Sequence, residues 1–445
     1  MKVSPNTKLV SLIVACWILS SIGTAASALE KNGSNRSDAP FAWLDAFEQA
    51  TSLKFFGFAQ FGFSRNDTSG ISTTGDTHSN LPVVGPSEEG FQLNAWQFAI
   101  EKQIVSNILP RVTPIPGPIP QEFSWGFRVE VLYGQSGLPA RMHGFDTDLG
   151  VRDHQNYLAF PQVAFAIYFP IYQGVTITVG RFGAGVGRET PPEWQPNPNF
   201  FYSKSYALVS QPDQVAGALV SANLIRGNNG FLAGELGIVN GRQSWKDNND
   251  NKSMIGALRW RDSNLQTWVN YSFMIGNEQN RPDITPQIPI ARIISPRGQL
   301  RQHHSLSIMV HPSAAWEIVG EAVVGKQAGD GLPDTIDFLT GPRYTSGTYS
   351  GINGELRYRF TPLLQYGIRA EAFRDRKNIT LFPVTTISSD FNAVTAGLKY
   401  VLSQHAIFRA ELRHDWQSHN NGMNAFGGGS SPRQTTLSSD IVLYF

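Results

Sequence analysis

Taken at every second residue, the stretch Ser350–Asp375 separates into two sets. Ile352, Gly354, Leu356, Tyr358 and Phe360 form one set, and Asn353, Glu355, Arg357 and Arg359 the other. After Thr361-Pro362-Leu363 the alternation resumes, with Leu364, Tyr366, Ile368, Ala370 and Ala372 set against Gln365, Gly367, Arg369, Glu371 and Phe373. A strand sends alternate side chains to opposite faces, so this is a hairpin with one oily and one charged face. A soluble sandwich could use it, with the charged face in water. So could a membrane barrel, with the oily face in lipid and the charged face on an aqueous lumen.

The same alternation recurs along the chain. It predicts about sixteen strands, near 53–64, 90–102, 123–134, 154–169, 174–186, 213–225, 231–240, 252–262, 265–276, 303–311, 315–327, 350–360, 364–375, 390–401, 405–416 and 434–445. The connections alternate in length. Tight links at 226–230, 262–264, 312–314, 361–363 and 402–404 separate long polar loops at 65–89, 135–153, 187–212, 241–251, 277–302, 328–349, 376–389 and 417–433. Short periplasmic turns and long extracellular loops are the outer-membrane arrangement, so the expected fold class is all-β: a transmembrane antiparallel β-barrel. One link departs from it. Ile104–Gln121 falls where a short turn is expected but carries Pro110, Pro114, Pro116, Pro118 and Pro120, which predicts a stiff extended segment.

The ends and the composition fit this picture. Residues 1–28 read as a secretory signal, with Lys2 and Lys8 ahead of the apolar Leu9–Ile22 and an Ala26-Ser27-Ala28 cleavage site. Lipoprotein processing at Cys16 is the alternative. Residues 29–52 read as a periplasmic leader, with a short helix over Pro40–Gln49, and 53–445 as the barrel. Beyond the N-terminus no apolar run of about 18 residues occurs, as a membrane helix would need. Mean hydropathy is −0.21, and a barrel hides from hydropathy because half its wall faces water. Cys16 is the only cysteine, so no disulfide framework or thiol chemistry is expected. The 36 basic and 35 acidic residues nearly balance, which gives no sign of a nucleic-acid partner. The last strand, TTLSSDIVLYF, stops on Phe445, an ending like the signal that the barrel-assembly machinery recognises.

Charged residues at inward positions are the candidate chemistry. They are Arg128, Glu130, Arg259, Glu355, Arg357, Arg359, Arg369, Glu371, Lys399, Arg409, Glu411 and Arg413. On the lipid side each Arg or Lys would cost roughly 2–4 kcal/mol near the midplane, which assigns them to the lumen. The arginines cluster on neighbouring strands, a pattern expected of an electrostatic rail for water and ions. Mutual pairing of wall charges is the alternative. The third long loop, 187–212, is rich in proline and aromatics, which suits a segment folding inward. Its Arg188, Glu189, Glu193 and Lys204 would then face the arginines.

An ordered set of short motifs supports a relationship. Gly180-Arg181-Phe182, Gly187 with Glu189, Asn199-Phe200-Phe201-Tyr202-Ser203-Lys204-Ser205, Gln211-Pro212, Gly217 and Val239-Asn240-Gly241 make the chain resemble the β-barrel porin-2, OmpL-like family. Asp247-Asn248-Asn249 and Lys252-Ser253 continue the set. The resemblance implies a porin-type outer-membrane channel for small hydrophilic solutes, without a cofactor and without naming the solute. One position conflicts with it: Val175, Ile177 and Val179 put Arg181 on the lipid face unless a bulge intervenes.

Other chemistry is weakly marked. His303-His304-Ser305 and His414-Asp415 invite a lipase-like reading, but strand alternation sends the two members of each pair to opposite faces. Asp247–Asn251 offers oxygens for calcium without the spacing of a known loop. No phosphate-binding, zinc or dinucleotide motif occurs. The expected function is passive diffusion with mild anion preference. A barrel enzyme and an adhesive barrel with a closed lumen are the alternatives. Sixteen-stranded porins are usually trimers, so a homotrimer is one expected assembly.

Overall fold

The computed structural model describes residues 42–68, 89–111, 114, 116–147, 149, 152–153, 156–189, 199–247, 250–278, 299–328, 336–337, 341–342, 346–377, 379–381 and 389–445. The expected signal, 1–28, lies outside them. The chain separates into a unit ending at Thr51 and a unit from Ser52 to Phe445. The first contributes helix α1 (Ala42–Thr51), whose last turn is tied by Thr51 Oγ1 donating to Phe47 O at 2.7 Å. No helix among the described residues is long and apolar enough to cross a membrane.

The second unit is a closed antiparallel barrel of sixteen wall strands. They are β1 (Lys54–Asn66), β2 (Gly90–Lys102), β3 (Ser124–Gly134), β4 (Val163–Phe169), β5 (Val175–Gly183), β6 (Gln214–Gly227), β7 (Gly230–Val239), β8 (Ser253–Arg261), β9 (Thr267–Glu278), β10 (Gln299–Val310), β11 (Trp316–Gln327), β12 (Gly347–Arg359), β13 (Leu364–Asp375), β14 (Ser389–Ser403), β15 (Ala406–Asn420) and β16 (Arg433–Tyr444). Each pairs with its sequence neighbours, and β16 returns to β1 from Phe58↔Tyr444 to Asn66↔Thr436. Closure leaves no row of unpaired backbone groups in lipid. The two faces of the first hairpin separate as alternation requires. Ile352 is 65% exposed and Leu356 44%, while Asn353 and Glu355 are buried.

The C-terminal residue is part of the wall. Gly57 and Phe445 exchange backbone hydrogen bonds at 3.2 Å, and the Phe445 ring packs on Phe98 with centroids 5.3 Å apart. A Cβ at residue 57 would stand 2.5 Å from that ring, so glycine makes the notch.

Three local expectations are revised. The strand expected at 154–169 is two pieces, Asn156–Ala159 and Val163–Phe169, both paired with β3. Pro161 between them cannot donate to a ladder, and Gln162 O is met by Glu130 N at 2.8 Å. Arg181 keeps the parity of Val175, Ile177 and Val179, and no register shift intervenes. It nevertheless avoids lipid, because residues 137–146 cover it. Asp146 Oδ2 stands 2.5 Å from Nη1, the Ala140 carbonyl accepts from Nη2, and the Phe145 ring lies beneath the guanidinium. Finally, the proline-rich link does not simply extend between β2 and β3. Its first part runs onto the inner face of β5–β7, where Ile108 is buried and its carbonyl accepts from Thr176 Oγ1 at 2.6 Å.

Candidate functional site

The inner faces of β12–β15 form a grid whose rows follow from the strand register. From the tight-turn end upward, one row is Arg409, Lys399, Gln365 and Arg359, and the next is Glu411, Gly397, Gly367 and Arg357. Above them come Arg413, Thr395, Arg369 and Glu355, then Asp415, Ala393, Glu371 and Asn353. Basic and acidic side chains therefore alternate up β15, and the neighbouring strands place further charges of both signs within reach of them.

Residues 199–211 lie on this grid and climb it. Arg409 Nη1 donates to the carbonyls of Asn199 at 2.6 Å and Phe201 at 2.9 Å. Glu411 accepts from Tyr202 N at 2.9 Å and Ser203 N at 3.0 Å. Arg369 donates to Ser203 O at 3.0 Å and Ser203 Oγ at 2.7 Å, and Arg413 to Lys204 O at 3.2 Å. Glu371 accepts Tyr206 N at 2.8 Å, and Tyr206 Oη donates to Asp415 Oδ1 at 2.8 Å. A segment inside a barrel cannot give all its backbone groups to a ladder, so charged side chains of the wall satisfy them. The climb ends in the short helix α2 (Tyr206–Ser210). Its cap Ser205 accepts from Leu208 N at 3.0 Å and donates through Oγ to Glu189 at 2.6 Å.

Aromatic rings fix the same segment sideways. The guanidinium carbons of Arg357, Arg369, Arg409 and Arg413 lie 5.2, 4.7, 5.8 and 5.2 Å from the ring centres of Phe200, Phe201, Tyr202 and Tyr206. Three wall glycines admit those rings. A Cβ at residue 367 would stand 2.5 Å from the Phe200 ring, at 397 3.2 Å from Phe201, and at 62 2.2 Å from the Tyr202 hydroxyl. Nothing in the alternation of the sequence pointed to these glycines as a site. The available signal was glycine at inward strand positions, where it weakens a strand unless something approaches closely.

The ionic partners of the arginines are equally defined. Arg409 pairs with Asp440 at 2.5 Å, and Arg413 with Asp415 and Glu371 at 2.8 Å each. Arg369 meets Glu189 at 3.2 Å and Glu371 at 2.9 Å. Arg188 pairs with Glu355, and Arg357 with both Glu355 and Glu317. Burial works against the Arg188 charge, but Glu355, Glu189 and Glu321 outweigh it and hold the guanidinium above its ordinary value. Burial also pushes the phenols of Tyr202 and Tyr206 up.

The residues singled out from sequence thus fall into groups. Arg369, Glu371, Arg409, Glu411, Arg413 and Glu355 face inward and are buried, with residues 188–189 and 199–206 bonded to them. They do not present an open rail of arginines, since each guanidinium is matched by carboxylates. Arg359 and Lys399, near the turns, have no ion-pair partner among the described residues, and neither has the Lys204 ammonium, although the Lys204 carbonyl is bonded. Glu193 lies outside the described residues. Arg128 and Glu130 form a separate pair at 2.5 Å on β3. Arg259 stands on the opposite wall with Glu235 at 2.8 Å and Asn270 at 3.0 Å. Sequence reasoning missed Asp440, Glu317 and Glu321, single acids within otherwise unremarkable strands.

The histidines follow the parity expected of them. His303 is buried inside, 2.7 Å from the Tyr349 hydroxyl, while His304 lies on the outer side beside Tyr271 at 2.9 Å. Asp415 faces in and His414 bonds Thr435 Oγ1 at 3.0 Å. Among the described residues no three metal-ligating side chains converge. Asp247 is 2.5 Å from Lys252 Nζ.

No curated protein is significantly similar in sequence to this chain. Among solved structures, the barrel is similar to the outer-membrane channel DcaP of Acinetobacter baumannii, with 9% identity over 88% of this chain and 97% of that one and a TM-score of 0.51. An anion-selective porin from Comamonas acidovorans is 9% identical over 88% and 99%, with a TM-score of 0.53. The trimer form of OmpT from Vibrio cholerae is 7% identical over 88% and 99%, with a TM-score of 0.51. At these identities the likeness is one of fold. The family model described as "Putative beta-barrel porin-2, OmpL-like" matches residues 52–445, and the chain belongs to that family of outer-membrane porins.

Proposed function

We propose that this porin passes small hydrophilic solutes by diffusion through a lumen narrowed by residues 184–189 and 199–211. The observation that carries this is the backbone of residues 199–206, held on the β12–β15 wall by Arg409, Glu411, Arg369, Arg413 and Glu371. Pairing removes most of the arginine field. Mild anion preference then rests on Arg359, Lys399 and Lys204, cations without an ion-pair partner among the described residues. Transport without catalysis is supported by the separation of the hydrolase candidates. Ser305 Oγ donates to Glu321 at 2.8 Å, and His303 is bonded to Tyr349 instead. A nucleophile and base would share a hydrogen bond.

Export by the segment 1–28 and recognition of Phe445 by the assembly machinery complete the reading, with outer-membrane lipid around the wall. A homotrimer is part of the proposal. Its support is a hollow of about 560 Å³ on the outer face, lined by Trp316, Leu356, Ile368, Leu398, Leu412 and Leu437. Light scattering in detergent measures the assembly directly, and a monomer mass refutes the trimer. Single-channel recording of the purified, heat-modifiable protein in a planar bilayer tests the function. Discrete steps with a slightly anionic reversal potential in a salt gradient are expected. A folded, inserted barrel that carries no current refutes the channel.

A further inference from the structure

Between β2 and β3 the chain has to make a turn, and a few residues would suffice. Instead residues 104–111 enter the barrel from the turn end. The entry begins over Gly126, where a Cβ would stand 2.9 Å from Ile104 N, and passes Gly174, whose Cβ position lies 2.1 Å from Asn107 Oδ1. Inner-face side chains then hold it. Ser106 Oγ is 2.8 Å from Thr176 Oγ1, Asn223 Nδ2 donates to Asn107 O at 3.4 Å, and Glu235 accepts Arg111 N at 2.6 Å. The return is fixed at the rim, where Arg226 donates to Gly117 O at 2.6 Å and Tyr168 to Pro120 O at 3.0 Å.

At Arg111 this segment reaches the other inward one. Arg111, at φ +66°, lies beside Gly185, at φ +69°, where a Cβ would be 2.9 Å from Arg111 Cγ. The second oxygen of Glu235 takes Arg259 Nη2 at 2.8 Å, and Arg259 also reaches Gly185 O at 3.4 Å. One carboxylate therefore joins the turn-side segment, the wall and the loop-side segment. Arg111 is half-buried as a residue, and burial, with Arg259 beside it, pulls its guanidinium down to about 10, so it stays cationic at neutral pH.

We propose that residues 104–111 are a second constriction, entering from the turn end, and that Arg111 is a selectivity-determining charge at its tip, positioned by Glu235. This rests on the channel reading above. The test is single-channel recording in a salt gradient of wild type, R111Q, E235Q and K252Q, the last a single-charge control at the loop end. R111Q removes a lumen cation and should shift the reversal potential towards cations. E235Q removes an anion and leaves one acceptor oxygen where Arg111 N and Arg259 Nη2 had two, which loosens the segment, so its conductance should rise while its selectivity shifts towards anions. K252Q should match wild type. A heat-modifiable R111Q barrel that records like K252Q overturns the proposal. So does an E235Q channel with wild-type conductance. If R111Q does not fold, R111C in a C16S background serves, because Cys16 is the only native cysteine. Modification by an aminoethyl methanethiosulfonate should return its reversal potential to the wild-type value, and a modified channel that stays cation-shifted overturns the proposal. A wild type that carries no current overturns both this and the channel reading, whereas a conducting wild type with an inert Arg111 overturns this alone.

Discussion

Gly367, Gly397 and Gly62 matter for what they lack. Each stands on the inner face of a strand, where a β-branched residue would be the ordinary choice, and each leaves room for one ring of Phe200-Phe201-Tyr202. G367V should push Phe200 off the wall while leaving the strand ladder intact, because the new side chain points away from lipid. Unit conductance should rise, and a G367V barrel with wild-type conductance would show that the ring does not narrow the lumen. Arg369 tests the same contact from its ionic side. Its side chain is fully buried between Glu189, Glu371 and Ser203. Removing one partner of such a cluster leaves buried carboxylates uncompensated, at roughly 3–5 kcal/mol. R369A should lower the urea midpoint for loss of the heat-modifiable form. R369K should fail to restore it, because an ammonium cannot reproduce the guanidinium fork. An unchanged midpoint for R369A would place the arginine outside the stabilising network.

As an element, residues 199–211 behave as part of the wall, although no ladder holds them. Their anchors include two buried phenols, and that gives the attachment a pH dependence with a definite sign. Burial raises the pKa of Tyr202 and Tyr206 above the ordinary value of 10.0, so the folded form holds these protons more tightly than the unfolded chain does. The contribution is complete below about pH 10 and is lost as pH rises through the folded values. Raising the pH from 8 to 11 should therefore loosen the segment, seen as noisier and larger current steps. The ultraviolet tyrosinate band should show two phenols that stay protonated beyond pH 11 for as long as the segment is held. Steps that are identical at both values would remove the phenols from the anchoring.

For the whole molecule, the pairing of charges decides what a permeating ion feels. An arginine matched by a carboxylate contributes little long-range field, whereas an unmatched cation at the turn end contributes nearly all of its own. The double variant R359Q/K399Q should shift the reversal potential towards cations without raising conductance, because neither side chain holds residues 199–211. A larger effect from neutralising buried Arg413 than from this pair would reverse that ranking. The barrel supplies the frame for both effects. Sixteen strands make a wall wide enough for segments to enter from either end and still bond to it.

What was legible in the sequence is whatever repeats with the period of a strand. Alternation located the wall strands, and it put Arg369, Arg409 and Arg413 inside, because an outward charge in lipid is costly. The unequal connections gave the two ends, and the ordered set of motifs from Gly180 to Ser253 gave the family. None of this could say what the arginines touch. Ser203 and Glu411 are 208 residues apart, and only closure of the barrel brings them to 3.0 Å. Asp440 reads as an ordinary polar residue of a last strand until β15 and β16 pair and set it opposite Arg409. The prolines at 104–121 announced stiffness, but the direction of the link was set by Thr176, Asn223 and Glu235, which lie far ahead in the chain. Local periodicity determined the wall and its two faces. Tertiary structure alone decided what fills the space within, since that depends on partners brought together only when the ring of strands closes.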